Sequence, residues 1–209
     1  MPQLYQASVQ LRCCGEILSK ADRLFGFRAL GAAERKLFYH AERWVLRGAR
    51  RDALPSAQLN QWHAGDVAML AHDPDDALCA QASRVGVLVV AELDKPDLPQ
   101  IRRLARWPAV AVVVLPTGAR VDLDGLAHNI LLAARISANF ELPLPDWAQI
   151  VLYEVTAGSE PSNVIASCPL PVIAAPASAT KFTTIGEARA ACDQLQRALA
   201  PLDLAGYIV

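Results

Sequence analysis

From about residue 36 onward the chain is a succession of short apolar, β-branched runs. They are residues 43–47 (RWVLR), 67–70 (VAML), 85–91 (VGVLVVA), 109–115 (AVAVVVL), 129–136 (NILLAARI), 150–155 (IVLYEV), 171–174 (PVIA) and 204–209 (LAGYIV). Continuous apolar runs of this length mark strands covered on both faces, as in parallel sheets. The run 129–136 is ambiguous, because a buried helix reads the same way. Helical patterns fall between several of them. Thr184-x-x-Glu187 is a capping-box signature, followed by Ala188, Cys192, Leu195 and Leu199 on one face and by Pro201. Pro74-Asp75-Asp76 opens a helix carrying Leu78, Cys79 and Ala82. Residues 99–106 form another, with Ile101 and Leu104 inward and Arg102, Arg103 and Arg106 outward.

Strands alternating with helices predict a parallel sheet with right-handed crossovers. Eight candidate strands fit a compact, irregular (β/α)8 TIM-like barrel in an α/β chain, although about 170 residues is short against the usual ~250. An open doubly wound sheet is the alternative, and no Gly-rich phosphate loop follows any strand to favour it. The first residues read differently. Leu4 to Leu11 alternates partly with period two, Gly15 is placed to turn the chain, and residues 25–28 (FGFR) suit a second short strand. Residues 1–35 are therefore expected to form a β arm packed on the barrel's outside, and residues 36–209 the barrel.

Composition narrows the picture. With 20 basic and 21 acidic side chains, a net charge of −1 argues against charge-driven nucleic-acid binding. No 18-residue apolar run predicts a membrane span, and the N-terminus shows no signal-peptide pattern. Cys13, Cys14, Cys79, Cys168 and Cys192 are an odd set without C-x-x-C spacing. Idle thiols in a reducing, cytoplasmic setting are expected, with Cys13 and Cys14 on opposite faces of a strand. His40, His63, His72 and His128 lack metal-ligand spacing, so neither a metal nor a cofactor is expected. No Gly-x-Ser-x-Gly elbow points to an acyl hydrolase.

Residues 37–48 (LFYHAERWVLRG) resemble the segment that opens the catalytic barrel of glycoside hydrolase family 2, where an aromatic pair and a turn lead into a strand ending Leu-Arg-Gly. Residues 25–28 are similar to the phrase that closes that family's β-sandwich. Residues 77–92 resemble its helix and third strand, residues 103–110 its lead into strand four, and residues 204–209 its eighth strand. The phrases stand in the family's order over residues 25–209.

Retaining glycoside hydrolysis needs an acid/base and a nucleophile, two carboxyls ~5–5.5 Å apart. The resemblance puts the acid/base at Gly118, with Thr117 in place of the preceding Asn, and the nucleophile at Pro176. Neither can donate a proton or attack an anomeric carbon, and residues 115–121 and 174–180 contain no acid. Met69 stands where the family carries an Arg. Glu92, His72 and Arg47 match polar rim positions and are the expected ligand-binding residues.

Other readings compete. His72-Asp73 is a candidate catalytic pair, and Glu154 and Glu160 are candidate relocated acids. Asp122 and Asp124 read as turn and N-cap residues before Leu126. The cluster Arg43, Arg47, Arg50 and Arg51 suits a barrel mouth or, alternatively, a phosphate. Trp44, Trp62, Trp107 and Trp147 suit packing or a stacked sugar. Three functions therefore stand: a non-hydrolytic family-2-like barrel binding carbohydrate or protein, an active glycosidase using Glu92, Asp73, Glu154 and Glu160, and a structural subunit docking through residues 1–30.

Overall fold

Parallel strands that are apolar on both faces close on themselves here. The computed structural model describes residues 3–27, 29–54, 58–121, 130–137, 139–140, 143–156, 163–178 and 180–209. Two antiparallel units come first. Strands β1 (Gln3–Cys13) and β2 (Glu16–Phe27) form a hairpin, and β3 (Leu30–Ala33), β4 (Lys36–Tyr39) and β5 (Glu42–Trp44) form a three-stranded sheet. The barrel follows: β6 (Leu46–Arg50), β7 (Ala68–His72), β8 (Val89–Glu92), β9 (Val110–Pro116), β10 (Leu131–Ile136), β11 (Ile150–Val155), β12 (Val172–Pro176) and β13 (Gly206–Ile208). Each barrel strand pairs in parallel with the next, and β13 closes onto β6. The expected (β/α)8 barrel is the fold, and the ambiguous run is strand over Leu131–Ile136.

Side-chain alternation sorts the barrel strands into two apolar layers. Leu46, Leu70, Val90, Val112, Val114, Leu131, Leu152, Ile173 and Ile208 belong to the inner cluster. Met69, Val89, Ala91, Val113, Leu132, Val151, Val172 and Tyr207 belong to the outer one, against the helices. Met69 therefore packs in the outer layer, 2% exposed. Val87, Val89 and Val112 are buried, as their runs require. Closure depends on Gly206, where an added Cβ would sit 2.9 Å from Leu46 Cβ and 3.1 Å from Leu46 O. Leu37 of β4 is fully buried in the inner cluster, with Leu30, Ala32 and Trp44 packed against it. The small sheet thus plugs the foot of the barrel, the end where its strands begin.

Among the described residues the α-helices are α1 (Leu59–Ala64), α2 (Asp76–Val85), α3 (Leu98–Ala105), α4 (Asn163–Ser167) and α5 (Ile185–Ala198). The caps on α2, α3 and α5 are local chemistry. Asp75 accepts from Leu78 N at 2.7 Å, Asp97 from Gln100 N at 2.7 Å, and Thr184 from Glu187 N at 3.2 Å. The capping box on α5 closes one residue early, because the Glu187 carboxylate accepts from Thr183 N at 2.8 Å. Helices α1 and α4 carry too short an apolar pattern to stand out in sequence. The expected caps at Asp122 and Asp124 lie outside the described residues.

Three expectations are corrected. The run 43–47 is not one strand: the chain leaves the plug sheet at Trp44 and joins the barrel at Leu46, so Arg43 and Arg47 belong to different sheets. The arm expected over residues 1–35 divides: residues 3–27 form a longer hairpin than the pattern suggested, exposed rather than packed on the barrel, while residues 30–33 join the plug sheet. Its register pairs Tyr5 with Phe25, Val9 with Ala21 and Leu11 with Ser19, which gathers apolar side chains on one face. Tyr5, Val9, Leu11 and Phe25 are 44%, 64%, 61% and 39% exposed. Finally, Cys14 turns the hairpin at φ 51°, bringing its sulfur within 3.8 Å of Cys13 rather than to an opposite face.

Candidate site at the barrel mouth

The C-terminal ends of parallel barrel strands form one rim, where side chains from successive loops and strand ends converge. Continuing the inner-face alternation by one step past the apolar layer places Arg50 on β6, His72 on β7, Glu92 on β8, Arg135 on β10 and Glu154 on β11 at this rim. Glu92 is 5% exposed, so burial makes its pairing obligatory. Arg50 Nη1 donates to Glu92 Oε2 at 3.3 Å, and Arg135 Nη1 to Glu92 Oε1 at 2.9 Å. Arg135 Nη2 also donates to Asp94 Oδ1 at 3.1 Å, and His72 Nε2 lies 3.7 Å from Asp94 Oδ2. Arg50 Nη2 further reaches the carbonyl of Pro176 at 3.5 Å. Burial works against the Arg135 charge, but its hydrogen bonds to Glu92 and Asp94 outweigh that, raising its pKa above the ordinary value.

Beside this network is a cavity of about 500 Å3, lined by Arg50, Arg51, Asp52, Leu70, His72 and Glu92. That volume suits a small molecule. Its walls offer the Arg50 guanidinium, held by its bond to Glu92, and the exposed His72 imidazole, which is the equipment of a binding site. Of the expected ligand-binding residues, Glu92 and His72 meet here.

Arg47 is not brought to the mouth. It faces α5, bonded to Asp193 Oδ1 at 2.8 Å and Gln196 Oε1 at 3.1 Å. Arg43 pairs with Asp203. Asp73 turns away from His72, at φ 39°, and accepts from Gln100 Nε2 at 2.7 Å. Glu154 is half-buried at the end of β11, and Glu160 and His128 lie outside the described residues. Gly118 is exposed just past β9, with nothing within 4 Å of where its Cβ would be, and Pro176 ends β12. Among the described residues no group of three His, Cys, Asp or Glu is placed to hold a metal ion.

Sequence reasoning missed Arg135 and Asp94. The signal was there: Arg135 interrupts the apolar run 129–136, and Asp94 stands two residues beyond Glu92. The tryptophans divide. Trp107 Nε1 bonds to Asp76 Oδ1 and Trp147 Nε1 to the Ala119 carbonyl, both at 2.9 Å, and Trp62 is 1% exposed.

No family model and no curated protein matches the sequence. Solved structures do match in fold. The β-glucuronidase from Ruminococcus gnavus in complex with D-glucaro-d-lactam is similar to 98% of this chain, with a TM-score of 0.67 at 10% identity. The crystal structure of the Ruminococcus gnavus enzyme gives 0.64 at 10% identity, again over 98% of this chain. A complex of that enzyme with D-glucuronic acid gives 0.65 at 9% identity. This chain covers 49%, 50% and 49% of those chains, about half their length. Among the described residues, no helix is long and apolar enough to cross a membrane.

Proposed function

We propose that this chain is a glycoside hydrolase family 2-like barrel without glycosidase chemistry, whose mouth binds a carbohydrate. The observation that carries this reading is the state of Glu92, the buried carboxylate at the rim. Both of its oxygens accept from arginines, so neither is presented to an anomeric carbon or a leaving group. The positions that the family resemblance assigns to the acid/base and the nucleophile are Gly118 and Pro176. A relocated pair of Glu92 with Asp73 is disfavoured, because Asp73 is engaged by Gln100 on the neighbouring helix.

Binding is favoured by the cavity and by donors held in place. The residues we assign to the ligand are His72, Arg50 and Arg135, with Glu92 as the group that positions the arginines. The arm supports a protein-binding role beside it, because the apolar face of its hairpin is the kind of exposed patch that marks a protein contact. Five free cysteines favour a reducing compartment, and we place the chain in the cytoplasm.

The test has two arms. Purified chain is assayed with a panel of 4-nitrophenyl glycosides, a glucuronide included, and titrated calorimetrically with D-glucuronic acid. Activated leaving groups need little acid catalysis and would reveal any surviving nucleophile. We expect no release above background, together with sugar binding that weakens at least tenfold in Arg135→Ala. Turnover that disappears in Glu92→Gln or Asp73→Asn overturns the silent reading, and binding unaffected by Arg135→Ala overturns the site.

A further inference from the structure

A second concavity lies at the other end of the barrel, under the plug sheet. It encloses about 300 Å3, at the low end for small-ligand sites. Tyr39 and Trp44, on adjacent strands β4 and β5, line one wall, their rings 5.8 Å apart and tilted by 41°. Trp62 lines it from the barrel side and is itself 1% exposed. The facing wall is aliphatic, made from the leading ends of β7 and β8, with Leu88 among them. Polar groups stand among the lining residues: His63 from the last turn of α1, and Asp66 just beyond it. The Asp66 carboxylate is 84% exposed, and its contact with Arg189 is long at 3.5 Å.

We infer that this pocket, built by Tyr39, Trp44, His63 and Asp66, is a second carbohydrate site that takes a single pyranose ring. The chemistry follows from the walls. A pyranose with equatorial hydroxyls presents a flat C–H face, which packs on an aromatic surface, and a girdle of hydroxyls that needs donors and acceptors. Tyr39 and Trp44 supply the surface. The Asp66 carboxylate accepts two hydroxyl protons, and the His63 imidazole donates or accepts. An organic cation would instead call for ring faces on several sides. Here the rings of Tyr39 and Trp44, both half-buried, share one wall, and the barrel side opposite is aliphatic apart from Trp62, which is 1% exposed.

The site is at the opposite end from the mouth, so the two are separable by experiment. Saturation-transfer NMR and intrinsic tryptophan fluorescence are recorded on the full chain with methyl β-D-glucopyranoside, with tetramethylammonium chloride as the competing class. We expect saturation transfer to the sugar with a dissociation constant of about 1–10 mM, typical of a shallow single-ring site. Trp44→Ala should weaken it at least tenfold and Asp66→Asn severalfold, while Arg135→Ala leaves it unchanged. Asp66→Asn keeps the test decisive if Trp44→Ala does not fold. No transfer at about 50 mM sugar, transfer undiminished in Asp66→Asn, or preference for tetramethylammonium each overturns the inference. Loss of binding in Arg135→Ala with Asp66→Asn unaffected assigns the sugar to the mouth alone and overturns it as well.

Discussion

Arg135 and Glu92 meet across the barrel mouth from strands that are not neighbours: β10 reaches β8 over the top of β9, at 2.9 Å. Arg50 does the same from the other side, reaching from β6 over β7. Side chains of alternate strands share a layer in an eight-stranded parallel barrel. Here three of those four strands put charge into the uppermost layer, and the fourth, β12, offers the Pro176 carbonyl. Glu92→Ala should therefore cost about 2–4 kcal/mol, since it leaves the half-buried Arg50 guanidinium without its counter-charge and Arg135 with Asp94 alone. Glu92→Gln should cost less. Urea denaturation gives the answer, and an unchanged midpoint in Glu92→Ala would mean that solvent already satisfies both arginines.

Gly206 and Gly31 make a matched pair. Gly206→Ala forces a methyl group to within 2.9 Å of Leu46 Cβ and against the Leu46 carbonyl, whereas Gly31→Ala meets nothing within 4 Å. Overpacking of this kind costs about 1–3 kcal/mol. Thermal melts should show a clear drop for Gly206→Ala and almost none for Gly31→Ala.

Gly118→Glu should be tolerated, because its side chain enters open space. Stability is expected to change by no more than about 0.5 kcal/mol. It should not restore turnover alone, since Pro176 still supplies no nucleophile and the two groups act as one unit. Aryl-glycoside assays on Gly118→Glu check this directly, and any turnover would place the missing carboxylate elsewhere.

Thiol labelling should divide the cysteines. Cys79 and Cys192 are buried, and burial pushes each thiol up to about 11. Cys192 also donates to the Gly48 carbonyl at 3.1 Å. Cys168 is raised as well, by burial. Cys13 and Cys14 are exposed. Iodoacetamide at pH 8 on the folded chain should modify Cys13 and Cys14 and spare the other three, with all five reacting in denaturant. Mass spectrometry reads the sites.

Acid stability should depend on Asp76. Hydrogen bonds from Trp107 and then Arg103 hold its carboxyl below the ordinary value of 3.8. A depressed folded-state pKa gives stabilisation that is fully present above the unfolded value and lost as pH falls through the folded one. The contribution should fade below about pH 4. Asp76→Asn should lower the melting temperature at pH 7 and flatten its fall toward pH 3. Because Asp76 is half exposed, solvent screening keeps the effect small.

The sequence made the barrel legible where burial and periodicity coincide. Runs such as 109–115 have no polar face, so their two-sided burial reads directly. The capped helices were equally plain, because Asp75 and Thr184 act over three residues. The plug sheet was not. Its strands are three and four residues long, and Leu37 earns its burial from barrel residues such as Ile208 that follow much later in the chain. The mouth was half legible. Glu92 and His72 stand at strand ends, but only the closed topology brings Arg135, 43 residues away, onto Glu92. Arg47 misled for a different reason: it alternates with Leu46, which faces the lumen, so its side chain goes out to α5.

Leu37 seals the foot of the barrel, and its burial sets how matter moves through the molecule. With Leu46, Val112, Leu152 and Ile208 packed above it, the lumen is filled by side chains among the described residues. Anything held at the mouth must leave by the side it entered, and the space beneath the plug sheet fills and empties independently. The two ends are thus chemically insulated from each other. Occupants of one neither displace nor feed the other, and shrinking Leu37 would open a void there rather than a channel.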